Sequence, residues 1–296
     1  ESISGDLPDS GTVHSIEQDS KNPNLLFAGT EFGVFFTYNK GKNWIQLKSG
    51  IPTIAVRDMA IQERESDLVL ATFGRGFYIL DDYSSLRSLS DSLLEAEATI
   101  FPVKKAFMYI EERGRYGQGA TYYEAKNPDF GATFTYYLKD VPKTKKQIRK
   151  EKEKKLFKDG EKIYQPTYGE LLEEERELEP HLIFVITDED GKFVRRITTP
   201  ATKGVNRITW DLRYQNLRPV RVKDNKFDPT PKGSSSYPVI PGKYFVSMDI
   251  SSNGMTKNLV SNVEFMTEAL NNRTLPAEDQ FALENFQRTT VKLARV

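Results

Sequence analysis

Four charged residues have the types and positions that chemistry on a ligand would need. Arg57 and Asp58 begin a predicted strand, while Glu31 and Arg75 lie in corresponding loops of two aligned segments. Carboxylate chemistry on a sugar requires two acids at a defined separation, and nothing in the chain defines such a separation. The alternative is that the four side chains make turn and inter-repeat hydrogen bonds. We therefore predict no catalytic residue and keep these four as candidates for groups that face a central axis.

Other kinds of catalytic or metal chemistry lack their residues. Cysteine is absent, which excludes disulfides, thiolate catalysis and cysteine-based zinc sites. The chain has two histidines, His14 and His181, which are too few for a multi-histidine metal site and offer little for a histidine-based triad. Both head predicted strands and are interpreted as structural. The Gly74-Arg75-Gly76 segment lacks the helix and the spacing of a phosphate-binding loop. We predict no cofactor and no metal.

Charge and hydropathy argue against two classes of partner. The chain has 296 residues, of which 42 are Lys or Arg and 42 are Asp or Glu, so it has no net charge and no global field that attracts nucleic acid. The basic run Lys143–Lys158 is interpreted as a solvated helix face, because aromatic residues are not interleaved and the acidic run Glu170–Glu179 follows it. No apolar run approaches the ~20 residues of a membrane span. We predict neither nucleic-acid binding nor a transmembrane segment.

The elements that position the charged candidates repeat along the chain at an offset of 43 residues. The aligned pairs are Val13–Ile16 with Val56–Met59, Leu25–Ala28 with Leu68–Ala71, and Gly33–Phe36 with Gly76–Ile79. A period of this length, filled with short β-rich runs and glycine turns, is typical of a propeller blade. Two blades cannot close a ring. We therefore expect the remaining blades to come from polypeptide upstream of Glu1 and to be partners of this chain.

Each repeat is predicted to form a small sheet. The strands predicted for the first are Thr12–Gln18, Leu25–Gly29, Gly33–Thr37 and Trp44–Leu47; those for the second are Val56–Gln62, Leu68–Thr72 and Gly76–Leu80. The second repeat departs from the pattern at Asp81, where its fourth strand should follow. A last blade that lacks its own fourth strand is what ring closure requires.

The turn between the third and fourth strands of the first repeat, Thr37 to Trp44, resembles the Asp-box, usually written S-x-D-x-G-x-T-W. Thr37 stands for the Ser, Asn39 for the Asp and Asn43 for the Thr, while Gly41 and Trp44 match. Asn tolerates left-handed geometry and can bond its own turn, and glycine supplies a positive φ. The Asp-box is a structural device of sialidase-like and sortilin-like propellers, so the resemblance implies a propeller rather than catalysis.

Three further segments resemble one family of exported bacterial Asp-box repeat proteins, often labelled glycosyl hydrolase or sortilin-like. Ala71–Asp82 is similar to their last-blade signature. Ile186–Arg195, Gly204–Asp211 and Pro241–Tyr244 are similar to the immunoglobulin-like sandwich that follows the propeller, and also to the sandwich of flagellar-hook capping proteins. The resemblance implies that Trp210 packs in a core. It also implies export to the periplasm, cell surface or medium of a bacterium.

The predicted fold is therefore mainly β, in four parts. Residues 1–87 are the last two blades of an incomplete propeller, 88–98 a linking helix, 99–268 a sandwich with a charged helical insertion over 140–180, and 269–296 a C-terminal helical segment. The sandwich strands expected after the insertion are His181–Thr187, Phe193–Thr198, Val205–Tyr214, Lys243–Ile250 and Leu259–Thr267. The C-terminal helix has apolar positions that need a partner, namely Phe281, Leu283, Phe286, Val291 and Leu293.

A group of tyrosines has two possible roles. Tyr109, Tyr116, Tyr122 and Tyr123 surround the loop Arg113–Gly119 and would suit a carbohydrate-stacking platform or ordinary packing at a sandwich edge.

Three functions are compatible with these patterns. The first is a non-catalytic binding or scaffold module of an exported cell-envelope protein, with a protein or glycan ligand. The second is part of a sialidase-like glycoside hydrolase whose catalytic residues lie mostly on other blades. The third is a sortilin-like peptide receptor, although the cysteine-rich module that follows the sortilin propeller cannot exist here.

Overall fold

The computed structural model describes residues 2–110, 125–216, 228–231, 235–270 and 278–294. The chain is mainly β, as predicted, and forms two compact units, Glu1–Ala96 and Glu97–Val296. The loop predicted over Arg113–Gly119 lies outside the described residues. Within the described ranges, every helix is too short or too polar to serve as a membrane span.

The first unit contains two consecutive antiparallel sheets. Its strands are β1 (Val13–Gln18), β2 (Leu26–Thr30), β3 (Gly33–Thr37), β4 (Ile45–Leu47), β5 (Val56–Gln62), β6 (Asp67–Thr72) and β7 (Phe77–Leu80). The first sheet has the order β1-β2-β3-β4 and the second the order β5-β6-β7, so each strand pairs with its neighbours in sequence. The strands predicted from the repeat are all present, with small shifts at their ends.

The two sheets differ in how completely they are buried. Strands β2 and β3 are buried along their whole length, on both faces. In the second sheet, Leu68 and Leu70 are fully buried, whereas Phe77 and Ile79 on the opposite face are 75% and 59% exposed. Among the described residues, β7 pairs only with β6. The second sheet therefore presents a bare apolar face and an open edge.

The segment after β7 forms two short helices, the second of which lies within the linking helix predicted over 88–98 and is shorter than it. A 3₁₀ helix spans Tyr83–Ser88, and α1 spans Asp91–Glu95. The Ser90 side chain accepts a hydrogen bond from the Leu93 amide, as an N-cap does, and this starts a new helix there. The extended backbone of Ala96 ends α1, and the chain already forms a strand at Ala98.

A buried ion pair connects the 3₁₀ helix to the first sheet. The Asp19 carboxylate, fully buried at the end of β1, accepts hydrogen bonds from Arg87 Nη2 at 2.7 Å and from the Tyr83 hydroxyl at 2.7 Å. Arg87 Nη1 also donates to Ser66 Oγ at 3.1 Å, in the turn between β5 and β6. The Asn22 side chain donates to the Arg87 carbonyl at 2.9 Å. One guanidinium thus ties together the turns that follow the first strand of each sheet.

The network also determines which of its groups are charged. Burial alone would raise the pKa of Asp19, but hydrogen bonds from Arg87 and Tyr83 outweigh it and hold that pKa below its usual value. Burial and the neighbouring Asp19 raise the pKa of Tyr83, so its hydroxyl remains a donor. The Tyr83 ring lies edge-on to Phe27, with centroids 5.0 Å apart, and this contact joins the network to the core of the first sheet.

The second unit is a two-layer β structure. Its strands are β8 (Ala98–Ile100), β9 (Ala106–Met108), β10 (Ala132–Leu138), β11 (His181–Asp188), β12 (Phe193–Pro200), β13 (Gly204–Trp210), β14 (Arg213–Gln215), β15 (Ser235–Pro238), β16 (Gly242–Ser252) and β17 (Met255–Ala269). One sheet has the order β13-β10-β8 and the other β12-β11-β16-β17-β9, while β14 and β15 form a separate pair. Most pairs are antiparallel, and β9 joins β17 in parallel.

Aromatic side chains from both sheets meet in one core. Phe134 of β10 stacks on Phe184 of β11 with centroids 6.4 Å apart, and its edge meets Phe265 of β17 at 5.2 Å. Trp210 is fully buried in this core, where the family resemblance placed it. Its indole N–H donates to the Arg213 carbonyl at 3.0 Å. The core therefore lies between the two layers.

One predicted strand, Val205–Tyr214, is wrong as a single element. The chain forms β13 up to Trp210 and then turns at Leu212, whose φ is +53°. A left-handed residue ends a regular strand, and the chain continues as β14 in a different sheet.

The insertion between β10 and β11 is a pair of exposed helices, α2 (Lys145–Lys158) and α3 (Tyr168–Arg176), in which no residue is buried. Both begin with a capping box, formed by Thr144 with Gln147 and by Thr167 with Glu170. Arg149 of α2 bonds both oxygens of Glu174 on α3, at 2.6 and 2.8 Å. With no apolar core between them, ion pairs are the main contacts that hold α2 against α3.

The C-terminal helix α4 (Gln280–Leu293) packs through polar residues. Glu284 is buried and accepts a hydrogen bond from Arg288 Nε at 2.8 Å. Burial, together with the charge of Glu284, raises the pKa of Tyr214 on β14 to about 12. The apolar residues that were expected to find a partner are largely exposed in the described structure. Phe281, Leu283, Phe286 and Leu293 are 72%, 37%, 70% and 71% exposed.

Replacing Arg87 by Ala should destabilise the first unit, because it leaves Asp19 charged, buried and without its main partner. We expect a loss of about 3–5 kcal/mol in the free energy of unfolding. The measurement is hydrogen exchange of β2 and β3 peptides across a urea series. As a control, Arg64→Ala removes an exposed pair with Glu65 and should cost under about 1 kcal/mol.

The ion pair of Asp19 and Arg87 makes the free energy of unfolding of this unit depend on pH in the acidic range. A depressed carboxylate pKa contributes stability above the unfolded value of about 3.9 and loses it as the pH falls through the folded value. The wild-type unit should therefore weaken below about pH 4, and Arg87→Ala should weaken less over that range. An equal acid response in both proteins would contradict this assignment.

Arg149→Ala should loosen the contact between α2 and α3. We expect faster hydrogen exchange in both helices, and a similar increase for the wild type in 1 M salt, which screens exposed charges. Lys152→Ala, at an exposed lysine of α2 outside these ion pairs, serves as the control and should leave exchange unchanged.

Candidate functional site

Strand direction brings the charged candidates of the first unit to one end of its sheets. Strand β1 begins opposite Thr30 at the end of β2, and β5 begins opposite Thr72 at the end of β6. The first residues of β1 and β5 therefore lie beside the loops that contain Glu31 and Arg75. Strands β1 and β5 also contact each other. We call this region the strand-start end.

Matched irregularities occur in the two sheets at this end. Between Val13 and Ser15 the pairing with β2 advances by only one residue, so His14 is the extra residue of a β-bulge. The same shift occurs between Val56 and Asp58, which makes Arg57 the extra residue in β5. A bulge redirects a side chain away from the regular alternation of a strand. His14 and Arg57 are thus presented by the same backbone device.

Arg57 lies between two rings. Its Nη1 is 3.3 Å from His14 Nε2 and 3.4 Å from Nδ1, so the guanidinium lies across the imidazole. Its Cζ is 5.3 Å from the centroid of the Phe73 ring, which is 67% exposed. Such a position suits a cation–π contact. Because Arg57 is itself exposed, its remaining N–H groups are available to a carboxylate from outside.

The other three predicted candidates, Asp58, Glu31 and Arg75, lie at the strand-start end but do not join the contacts of Arg57. Asp58 Oδ1 accepts a hydrogen bond from the Met59 amide at 2.9 Å. The Glu31 amide donates to the Thr12 carbonyl, and its side chain is exposed. Arg75 is exposed between two glycines of positive φ. Within the described part of the chain, no recorded contact joins these three side chains to Arg57.

Two residues of this arrangement were missed in the sequence. His14 was interpreted as structural, and Phe73 was not singled out. His14 aligns with Arg57 at the repeat offset of 43, so comparison of the two strand starts would have paired them. No sequence signal indicates that the Phe73 ring turns toward Arg57.

The predicted turn motif forms a compact hydrogen-bonded loop. Thr37 Oγ1 donates to Asn39 Oδ1 at 2.9 Å and accepts from the Gly41 amide at 3.0 Å. Asn39 Oδ1 also accepts from the Asn43 amide at 3.0 Å. Gly41 has a φ of +83°. The indole of Trp44 is largely buried, and its N–H donates to the Ile3 carbonyl at 3.0 Å. These residues shape and anchor the turn.

The tyrosine group is described only in part. Tyr109 lies edge-on to Phe130, with centroids 5.0 Å apart, in the second unit. Tyr116, Tyr122 and Tyr123 lie outside the described residues. His181 heads β11, where its Nδ1 is 3.1 Å from the Glu179 carbonyl oxygen. In the described ranges, no three His, Asp or Glu side chains are grouped so as to hold a metal ion.

Comparisons with known proteins give limited similarity. No family model matches the chain, and no curated protein matches it. Two solved structures that it resembles are extracellular domains from B. thetaiotaomicron, each assigned to a hybrid two-component system. The first is 10% identical with a TM-score of 0.24, over 91% of this chain and 27% of that one. The second is 11% identical with a TM-score of 0.21, over 89% and 26%. The chain thus spans about a quarter of the length of these structures.

Gly41→Ala tests how tightly the turn is anchored. A Cβ at Gly41 would lie 2.5 Å from the Ile3 carbonyl oxygen, in addition to the strain of a positive φ. Gly74→Ala is the matched control, since Gly74 has a φ of +76° and open space around it. We expect the control to cost about 1 kcal/mol and Gly41→Ala about 1–3 kcal/mol more, measured by urea unfolding of the first unit. Equal losses would contradict the proposed close contact.

Proposed function

We propose that the chain is the non-catalytic binding or scaffold part of an exported bacterial cell-envelope protein. In this proposal the two sheets of the first unit are neighbouring Asp-box propeller blades, and the second unit is an immunoglobulin-like sandwich. The repeated strand order, the matched bulges and the turn from Thr37 to Trp44 support the propeller assignment. The exported location rests on the resemblance of Ala71–Asp82 and the sandwich segments to exported repeat proteins.

The observation that carries the binding function is the position of Arg57. Its guanidinium is exposed at the strand-start end and is flanked by the rings of His14 and Phe73. Aromatic neighbours restrict the guanidinium without neutralising it, since neither ring carries a negative charge. A carboxylate can then accept two parallel N–H bonds from it. The ligand is therefore an acidic group, presented by a protein segment or by an acidic glycan.

The bare face of the second sheet indicates a scaffold partner. In the first sheet, β4 pairs with β3 through Val34↔Leu47 and Phe36↔Ile45. The equivalent residues of β7, Phe77 and Ile79, have no such strand among the described residues and are exposed. An added antiparallel strand would pair with this edge, and a neighbouring sheet would cover the face. We propose that the remaining blades of the parent protein supply both.

The positions of the charged residues in the first unit do not specifically support the glycoside hydrolase alternative. Most glycoside hydrolases place two carboxylic acids on either side of the sugar bond that they cleave, whereas sialidases use a tyrosine as the nucleophile. Among the described residues, the hydrogen bond given for the Asp58 side chain is the one that its Oδ1 accepts from the Met59 amide, which suits a structural role. The sortilin-like receptor alternative retains only the likeness of its propeller.

Arg57→Ala should remove most of the binding to acidic ligands. The test measures binding of the whole chain to arrays of acidic peptides and acidic glycans, each beside its uncharged counterpart. A hydrogen bond to a charged group is worth about 1.5–3 kcal/mol, so the variant should bind about ten-fold more weakly or worse. Peptide-only or glycan-only binding identifies the source of the carboxylate.

The control for this test is Arg64→Ala, which removes an exposed arginine of the same unit that pairs only with its neighbour Glu65 among the described ion pairs. No binding to any acidic ligand, or equal losses in both variants, would overturn the assignment of Arg57. A panel of glycosides tests the absence of catalysis. Turnover that Arg57→Ala or Asp58→Ala abolishes would show that the protein is an enzyme.

A further inference from the structure

A cavity lies in the second unit, beneath the helix α4. Its volume is about 550 Å³, within the roughly 300–1,000 Å³ range of small-molecule sites. It is lined by residues of the β9 end, the bend after β13, the segment around Pro238–Pro241, and α4. Tyr109 and Leu283 line it and are each more than a third exposed, so the cavity is reached from solvent. All of its lining belongs to one unit.

The wall that α4 contributes is mainly polar. Gln280, Glu284 and Gln287 face the cavity, while Phe281 and Phe286 of the same helix are directed away and exposed. A surface helix usually buries its apolar stripe. In α4 the large aromatic residues are exposed instead, and the side chains that line the cavity carry mainly amide and carboxylate groups. Hydrogen-bonding groups at a cavity wall fix the orientation of a polar ligand.

The opposite wall is apolar and includes an aromatic pair. Tyr109 and Phe130 meet edge to face at 5.0 Å, and both line the cavity. Met108 and Val239 continue the same wall and are buried. A ligand that fits both walls therefore has one apolar surface and several hydroxyl or amide groups on the other side.

The floor contains a carboxylate with an unsatisfied oxygen. Asp211 bonds Ser235 Oγ through Oδ2, while its Oδ1 is buried and has no hydrogen-bond partner among the described residues. A buried acceptor without a donor is unfavourable. Asp211 lines the cavity, but its Oδ1 is closed to solvent, so a ligand hydroxyl would reach this oxygen only after the carboxylate rotates and releases Ser235.

The charges around the cavity balance each other, so the lining carries no excess charge that would attract an ionic ligand. Arg288 bonds Glu284 and neutralises it. Arg213 donates to the Ser236 carbonyl at 3.0 Å, which leaves one cation and the Asp211 carboxylate at the same site. An anionic ligand would meet Asp211, and a cationic ligand would meet Arg213.

We infer that this cavity is a binding site for a neutral saccharide of one or two sugar units. The apolar face of the sugar lies against one ring of the Tyr109–Phe130 pair, and its hydroxyls bond Gln280 and Gln287. Sugar hydroxyls both donate and accept, which matches a wall of amides beside a carboxylate. The site is independent of the proposed role of Arg57, since it lies in the other unit.

The test is saturation-transfer NMR of the whole chain with a panel of neutral disaccharides (maltose, cellobiose, lactose and chitobiose), followed by titration of any that bind. We expect at least one to bind in the millimolar range or tighter. Leu283→Trp, which fills the cavity mouth from α4, should weaken binding by about ten-fold or more. Gln287→Ala removes one neutral hydrogen bond and should weaken it about two- to ten-fold.

Phe281→Trp is the matched control, because it adds the same side chain to the exposed face of α4. It should leave the affinity unchanged, and circular dichroism checks that each variant folds. If Leu283→Trp unfolds, Gln287→Ala still decides the question. Absence of binding by the whole panel, or binding that neither cavity variant weakens, would overturn the inference. Arg57→Ala should bind the disaccharide normally, which separates this result from that of the acidic-ligand arrays.

Discussion

The first unit depends on a single buried charge, the carboxylate of Asp19. It lies at the end of the first strand, and Arg87 and Tyr83 reach it from a 3₁₀ helix more than sixty residues later. The long sequence separation matters, because the contact closes a loop that contains β2 to β7. The entropy lost in closing such a loop must be offset by strong interactions. The buried polar groups of Asp19, Tyr83 and Arg87 have their hydrogen-bond partners only when all three residues are in place. The two sheets and the helix that follows them are therefore stabilised together.

This network lies at the strand ends opposite His14 and Arg57. Rigid turns at one end leave the other end free to carry exposed groups whose backbone is already defined by matched bulges. The division of labour is familiar from repeat folds, in which packing residues repeat faithfully while the presented side chains differ from one repeat to the next. Here the same bulge presents an imidazole in one sheet and a guanidinium in the next. The repeated backbone therefore sets the position of these side chains, and the residue type at each position sets their charge and hydrogen-bonding groups.

Much of the strand architecture could be predicted because it follows from local patterns. The offset between the repeats placed β1 to β7, and alternation placed most strands of the second unit. Features that depend on distant contacts could not be predicted. The Asp19–Arg87 pair joins residues with no local signal, the left-handed Leu212 divides an otherwise regular strand, and α4 packs by a polar face that its sequence pattern contradicts. For the candidate site, the position of Arg57 at a strand start was predictable, whereas its contact with the Phe73 ring depends on loop geometry.

The open edge of β7 has a consequence for how the isolated chain behaves in solution. Among the described residues, β7 pairs on one side only, with β6, so its other edge offers the backbone to any extended segment, including the identical edge of another molecule. Self-association through this edge would increase with protein concentration. A partner that covers this edge would therefore also prevent aggregation of the chain.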